Sequence, residues 1–332
     1  MIEYSQIREV HLELSSNCNA ACPFCPRNVG GYSYNAGYPV TTLSLENIQK
    51  IFKPDFLSQL FTIIINGNYG DFVTVKDALD TVSYLRKHTQ ANIIINTNGS
   101  ARTVNFWTKL AQFNPIVIFG IDGLEDTHHL HRRQTNFNLI LRNARAYITA
   151  GGNAVWKMIE FDHNRHQVDD CQQLAQDMGF SGFELITNGR HNGVVFDQDG
   201  NYDYTIGQVQ YKAQSSAQAL EWVNVNFVNK HHYNDPVKNT ISCETINKKS
   251  IYISSNGEVY PCCYLGFYPR TYDPSLVQGN DQIKELLNGV ENNVLVKPLE
   301  DCISWFNLVE QSWTKETFQE GRLWRCNHHC GH

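Results

Sequence analysis

The sequence predicts an α/β fold built from parallel βα units. Short runs rich in Ile, Val and Phe recur through the first half of the chain, each followed by an amphipathic segment, and polar turn residues gather just after several of the runs. The runs are Val10–Leu14, Phe61–Ile65, Asn92–Ile95, Ile116–Phe119, Val155–Ile159 and Phe183–Ile186. The turn clusters are Asn17–Cys18, Asn66–Asp71, Asn96–Ser100 and Asp122–Gly123. Asn, Gly and Asp dominate ordinary loops, so one cluster alone says little. Four in register place a ligand pocket at the carboxyl ends of the strands.

The helices follow from their stripes. Val75, Ala78, Val82 and Leu85 mark one apolar face, and Phe137, Leu141, Ala144 and Ile148 another. Thr74 with Asp77 three residues on reads as a capping-box start, and Gly151 and Gly179 stand where a left-handed helix cap is wanted. After Ile186 the alternation stops. Thr187–Thr240 is polar, with turn signals at Asn188–Gly189, Asn192–Gly193 and Asp199–Gly200, and reads as a connecting region. The expected organisation is a core over residues 1–187, a connector over 188–240 and a Cys-rich module over 241–332.

Composition narrows the classes. A chain of 332 residues with 42% apolar side chains can bury a large core with a smaller appendage. The net charge of −6 and the scattered Lys and Arg argue against nucleic acid as the main partner. The first residues form neither a basic n-region nor an apolar h-region, and no stretch approaches the roughly 18 apolar residues of a membrane span. The expectation is a cytoplasmic protein with no membrane partner. Ten cysteines without a secretion signal then point to metal or catalysis rather than disulfides.

Their distribution suggests two sites. Cys18, Cys22 and Cys25 crowd the N-terminus, six cysteines lie between Cys243 and Cys330, and Cys171 stands alone on the apolar stripe Val168, Cys171, Ala175 and Met178. Cys171 reads as a buried small hydrophobe. The C-x3-C-x2-C spacing after the first strand suits a soft metal, and three protein ligands on a four-iron cluster leave one iron open. Structural zinc wants four ligands, and no nearby fourth Cys or His follows the motif. At the other end, Cys243 and Cys262 flank an Asn256-Gly257 hairpin signal between Ile251–Ser254 and Glu258–Tyr260. Cys326 and Cys330 would complete four ligands, with the replacement of one of the four by Cys263 or Cys302 and a zinc site through His328 or His329 both open.

Cys18-x3-Cys22-Pro-Phe24-Cys25 resembles the signature of the radical S-adenosylmethionine (SAM) superfamily. Gly67-Asn68-Tyr69-Gly70-Asp71 stands where that family has a glycine-rich stretch meeting the methionyl amino group, although the usual Gly-Gly-Glu-Pro reads differently here. Thr97-Asn98-Gly99 and Ile121-Asp122-Gly123 also resemble family positions, and Leu124–Arg133 follows with its paired arginines. The C-terminal cysteines resemble a twitch domain, the shortened relative of the SPASM domain.

The resemblance implies a partial (β/α)6 TIM-like barrel over roughly residues 8–187 and a small Cys-rich α+β auxiliary-cluster domain. It implies a SAM-cleaving 4Fe–4S cluster on Cys18, Cys22 and Cys25. SAM would be bound near Phe24, Gly67, Asn68, Asp71, Asn98 and Asp122, the last toward the ribose. One auxiliary 4Fe–4S cluster would sit on Cys243, Cys262, Cys326 and Cys330, suited to electron transfer. The reaction implied is reductive SAM cleavage to a 5′-deoxyadenosyl radical that abstracts hydrogen, fed by an electron donor such as flavodoxin or ferredoxin; no catalytic side chain is singled out.

For substrate, a ribosomally made precursor peptide is the first expectation. An aminoglycoside-like small molecule is the alternative, and a non-catalytic zinc-binding interaction protein stands outside the family. Because the motif begins at residue 18, a peptide modifier is expected to use a separate leader-binding protein or the Thr187–Thr240 region.

Overall fold

The computed structural model describes residues 2–31, 33–34, 40–187, 193–208, 212–219, 221, 236–267 and 279–332. The turn signals at Asn188–Gly189 and Asn192 lie outside these residues. Strands β1 (Glu9–Leu12), β2 (Asn28–Val29), β3 (Ser33–Tyr34), β4 (Thr62–Ile65), β5 (Asn92–Thr97), β6 (Ile116–Gly120), β7 (Asn153–Glu160) and β8 (Gly182–Thr187) come first. They are followed by β9 (Gly193–Phe196), β10 (Tyr202–Ile206), β11 (Ser250–Ile253) and β12 (Val259–Tyr260).

All six predicted runs form strands, and the six pair in parallel in chain order, β1-β4-β5-β6-β7-β8. This open parallel sheet, with helices between its strands, is a partial TIM-like barrel. Alternation along each strand sets its two faces. Val10, Leu12, Ile63, Ile65, Ile93, Ile95, Val117, Phe119, Trp156 and Met158 are buried in the apolar core, with helix residues such as Val82, Leu85, Trp107, Leu110, Ala144 and Tyr147. The alternate residues His11, Asn96 and Lys157 are only half-buried, and Lys157 pairs with Glu184 across the β7–β8 register.

The helices between and around the parallel strands are α1 (Leu45–Ile51), α2 (Pro54–Ser58), α3 (Ala78–His88), α4 (Val104–Ala111), α5 (Glu125–His131), α6 (Phe137–Thr149) and α7 (Val168–Met178). Five short helices follow among the described residues of the C-terminal region, Glu244–Asn247, Asn280–Leu286, Leu299–Cys302, Phe306–Ser312 and Trp324–Cys330. Ser44, Thr103 and Asn136 cap α1, α4 and α6 by accepting from backbone N–H groups one turn on. Gly179, at φ 85°, closes α7 in the left-handed conformation expected of it. The capping box at Thr74 is not formed. Thr74 ends a 3-10 turn, Phe72–Thr74, and its hydroxyl donates to the Asp71 carbonyl (2.8 Å) and the Asn17 carbonyl (2.9 Å). The helix starts at Ala78 instead. Cys171 is fully buried, as its stripe requires.

Two additions flank the barrel. The connecting region contains an antiparallel hairpin, β9–β10, with Gly200 at φ 82° in its turn. The predicted C-terminal hairpin also forms, and its β11 pairs in parallel with β1, Val10 opposite Ile251 and Leu12 opposite Ile253. One eight-stranded sheet therefore runs through both Cys-rich regions, in the order β12-β11-β1-β4-β5-β6-β7-β8. Among the described residues no helix is long and apolar enough to cross a membrane.

Candidate functional site

The chain leaves β1 into a compact loop carrying the three N-terminal cysteines, at the carboxyl edge of the sheet. Cys25 N donates to Cys22 O (3.2 Å), and the buried Arg27 donates to Cys18 O (2.9 Å). Neighbouring strand-end loops hold it in place. Asn19 donates to Ser100 O (3.0 Å), and Ala21 N donates to Arg133 O (2.9 Å). Arg133 in turn donates to Phe196 O (2.6 Å) and pairs with Asp203 (3.1 Å), which ties the loop to the β9–β10 hairpin.

Desolvation pushes all three thiols up, Cys25 to about 12. Yet donors point at the sulfurs: Ala20 N (3.4 Å) and Asn98 Nδ2 (3.6 Å) at Cys18, and the Arg132 guanidinium at Cys22. Desolvated thiols met by N–H donors suit thiolates whose charge is balanced by a soft metal group. The residues fit an iron–sulfur cluster held on three thiolates.

Arg132 is itself held by Asp122. The Asp122 carboxylate is fully buried and accepts from Arg132 Nε (2.6 Å), Ile159 N (2.7 Å) and, at Oδ2, contacts His131 Nδ1 (2.7 Å). Burial pushes this carboxyl up, but Arg132 and His131 outweigh burial and hold it well below the usual range. Gly120 makes room, since a Cβ there would lie 2.8 Å from the Arg132 guanidinium. Phe24 stacks on His131 with ring centroids 6.0 Å apart and abuts Gly193 of the hairpin.

The glycine-rich loop lies against the end of β1. A Cβ on Gly70 would overlap the Ser15 carbonyl, and one on Gly67 would sit 2.9 Å from a Glu13 oxygen. Buried Glu13 accepts from Tyr69 N (2.8 Å) and Gly70 N (3.2 Å) on one oxygen and from Tyr252 OH (2.7 Å) on the other. Asp71 accepts from Thr97 Oγ1 (2.7 Å) and Asn98 N (2.7 Å), locking the loop after β5 to the loop after β4.

In the C-terminal region, Cys243, Cys262, Cys326 and Cys330 line one small apolar cavity of about 30 Å³, beside Tyr264, Phe306, Trp313 and His329. Residues 240–242 run antiparallel to the chain end, with Ser242 N donating to Cys330 O (2.9 Å), which brings Cys243 against Cys330. The two share a hydrogen bond that draws Cys243 down to about 5 and pushes Cys330 up. Cys302 is buried elsewhere, with its thiol toward Lys297 O, and the Cys263 carbonyl faces the glycine-rich loop. Among the described residues no three His, Cys, Asp or Glu side chains converge to hold a single metal ion. The four cysteines line a common cavity, and a four-thiol donor set is the chemistry that holds an iron–sulfur cluster.

Residues 243–297 match the SPASM iron-sulfur cluster-binding domain. No curated protein matches the sequence. Among solved structures, anSMEcpe with bound AdoMet and Cp18Cys peptide aligns at 14% identity and a TM-score of 0.53, over 96% of this chain and 89% of that one. Native anSMEcpe with bound AdoMet aligns at 14% identity and 0.50, over 84% and 83%. SuiB of Streptococcus suis bound to S-adenosylmethionine aligns at 11% identity and 0.50, over 80% of this chain and 62% of that one, so the chain spans less than two thirds of SuiB. This is the fold of the radical SAM enzymes.

Within the radical SAM fold the predicted residues divide by what they touch. Cys18, Cys22, Cys25, Phe24, Asn98 and Asp122 gather around one strand-end region, whereas the Asn68 side chain turns away to donate to Cys263 O (2.9 Å). Asp122 and Asp71 have their carboxylates engaged by protein donors. Arg132 is one of the paired arginines noted in the sequence, whereas Glu13, Arg27 and His131 were not singled out there. Two signals stood there unread: Glu13 is a charge at the apolar end of the first strand, and Gly120 is the gap that a large neighbour fills.

Proposed function

We propose that this chain is a radical SAM enzyme that modifies a peptide. The observation that carries the reading is the set of three half-buried cysteines on one strand-end loop, their sulfurs met by the N–H groups of Ala20, Asn98 and Arg132. When bound, the cluster would supply the electron that cleaves SAM to methionine and a 5′-deoxyadenosyl radical, the group that removes hydrogen from the substrate. Cys18, Cys22 and Cys25 would hold it.

The remaining residues position and shield. Arg27 and Asn28 fix the thiol loop through the Cys18 and Cys22 carbonyls. Arg132, held by Asp122, places positive charge beside Cys22. Phe24, Phe161 and Val195 form an apolar wall on the hairpin side that keeps water from a reactive radical. A second cluster on Cys243, Cys262, Cys326 and Cys330 would serve electron transfer, with an external donor such as flavodoxin or ferredoxin supplying the first electron. The peptide reading draws support from the anSMEcpe structure, which holds a peptide and aligns over 96% of this chain.

Anaerobic reconstitution tests the class. Wild type is expected to hold about two four-iron clusters, falling to about one when Cys18, Cys22 and Cys25 become Ala, with loss of 5′-deoxyadenosine formation. Protein that binds only zinc and cleaves no SAM under reduction refutes it. Deoxyadenosine formation stimulated by an aminoglycoside and not by precursor peptides would move the substrate to the small-molecule class.

A further inference from the structure

The loop after β4 is bonded at both ends to different cysteine sites. On one side, Asp71 N donates to Asn17 O (2.8 Å) beside Cys18, and the Asp71 carboxylate holds Asn98, whose amide reaches the Cys18 sulfur. On the other side, Asn68 Nδ2 donates to Cys263 O (2.9 Å) and Tyr69 OH donates to Phe267 O (2.9 Å). Glu13 ties the two halves together, with one oxygen on the loop N–H groups of Tyr69 and Gly70 and the other on Tyr252 of β11. Both outside carbonyls belong to the turn that begins at Cys262, a wall of the C-terminal cavity. That turn also presses on Tyr252, because a Cβ on Gly266 would overlap the Tyr252 ring.

We infer that loop 67–71 is a coupling element, with Asn68 and Glu13 as its positioning residues, through which filling the C-terminal cavity strengthens SAM binding at the N-terminal thiols. This rests on the radical SAM reading above. The physical cause is the shared turn. A cluster bound through Cys262 fixes the position of the Cys263 and Phe267 carbonyls, and those carbonyls fix Asn68 and Tyr69. The loop is then ordered before SAM arrives, so binding forfeits less conformational freedom. Linkage makes the effect reciprocal: SAM must strengthen retention of the C-terminal cluster by the same factor.

The experiment is equilibrium dialysis of labelled SAM against the anaerobically reconstituted full chain. Wild type, Cys262→Ala/Cys326→Ala, Asn68→Ala and the triple variant are compared, with iron counted in each. Removing the C-terminal ligands is expected to weaken SAM binding about tenfold while one cluster remains, within the usual range of coupling between sites. Asn68→Ala should weaken it about fivefold alone and by less than about twofold in the Cys262→Ala/Cys326→Ala background, because the two changes break one linkage. Isosteric Asn68→Asp, which sets an acceptor against the Cys263 carbonyl, should weaken SAM binding at least as much as Asn68→Ala.

Full additivity of the two changes, or wild-type SAM affinity in a folded Cys262→Ala/Cys326→Ala protein that keeps its N-terminal cluster, overturns the coupling and leaves the radical SAM reading standing. If the double cysteine variant does not fold, the reciprocal arm decides. SAM should slow chelator extraction of the C-terminal iron in wild type but not in Asn68→Ala, and equal protection in both overturns the proposal. A wild type that binds no SAM overturns the radical SAM reading itself and the coupling with it.

Discussion

Replacing Asp122 by Asn should cost the fold about 3–5 kcal/mol, the usual consequence of removing one partner from a buried ion pair. The structure explains why Asn is a poor substitute despite its shape. One carboxylate oxygen accepts from Ile159 N at 2.7 Å, and the Asn carbonyl can keep that bond. The other oxygen faces Arg132 Nε at 2.6 Å and His131 Nδ1 at 2.7 Å, where Asn would present an NH2 group. His131 can answer by switching tautomer, but Arg132 has no acceptor, so a donor faces a donor and the cation loses its counter-charge. The assay is urea unfolding of the protein at pH 7. With a slope near 3 kcal/mol/M, the loss is a fall of about 1–1.7 M in the midpoint.

The pH dependence gives a second reading of the same variant. Asp122 has a depressed folded pKa, so its contribution is complete above the ordinary Asp value of about 3.9 and is lost as pH falls toward the folded one. The gap between wild type and Asp122→Asn should be widest at neutral pH and shrink below about pH 4. A midpoint shift under about 0.3 M, or a gap that does not change with pH in acid, would refute the claim that Arg132 and His131 depend on this carboxylate.

Two further outcomes follow from single contacts. Gly70→Ala should destabilise by at least about 1–3 kcal/mol in thermal or urea unfolding, since the added methyl meets the Ser15 backbone rather than a flexible side chain; an unfolding midpoint equal to wild type would show the loop free to move. His11 is half-buried, and desolvation of its ring lowers its pKa to about 4 although it donates to Asn66 O (2.7 Å). Its neutral form is favoured by folding, so that stability is present above the unfolded value near 6.5 and falls as pH drops, by about 2 kcal/mol between 6.5 and 5. His11→Gln, which retains a donor for Asn66, should lose that part of the acid slope, and an unchanged slope would assign the acid sensitivity to other groups.

Much of this protein can be read from residues within one or two turns of each other. Period-two runs such as Ile63–Ile65 and Val117–Phe119 place six strands, because alternation alone decides which side chains face the helices. The C-x3-C-x2-C spacing and the Asn256-Gly257 hairpin are equally local, as is the left-handed stop at Gly179. The sequence by itself therefore determined the parallel βα units, the place of the thiols just after the first strand and the existence of a second cysteine group. Tertiary structure alone decided that β11 joins the edge of β1, that Asn68 serves Cys263 rather than the loop it sits in, and that Arg132 stands between Asp122 and Cys22. The physical reason is distance along the chain. Glu13 and Tyr252 are 239 residues apart, and Asn68 and Cys263 are 195 apart, so no local periodicity encodes either bond. These bonds form because buried polar groups must find partners, and the partners available at the carboxyl edge are those that the assembled sheet brings there.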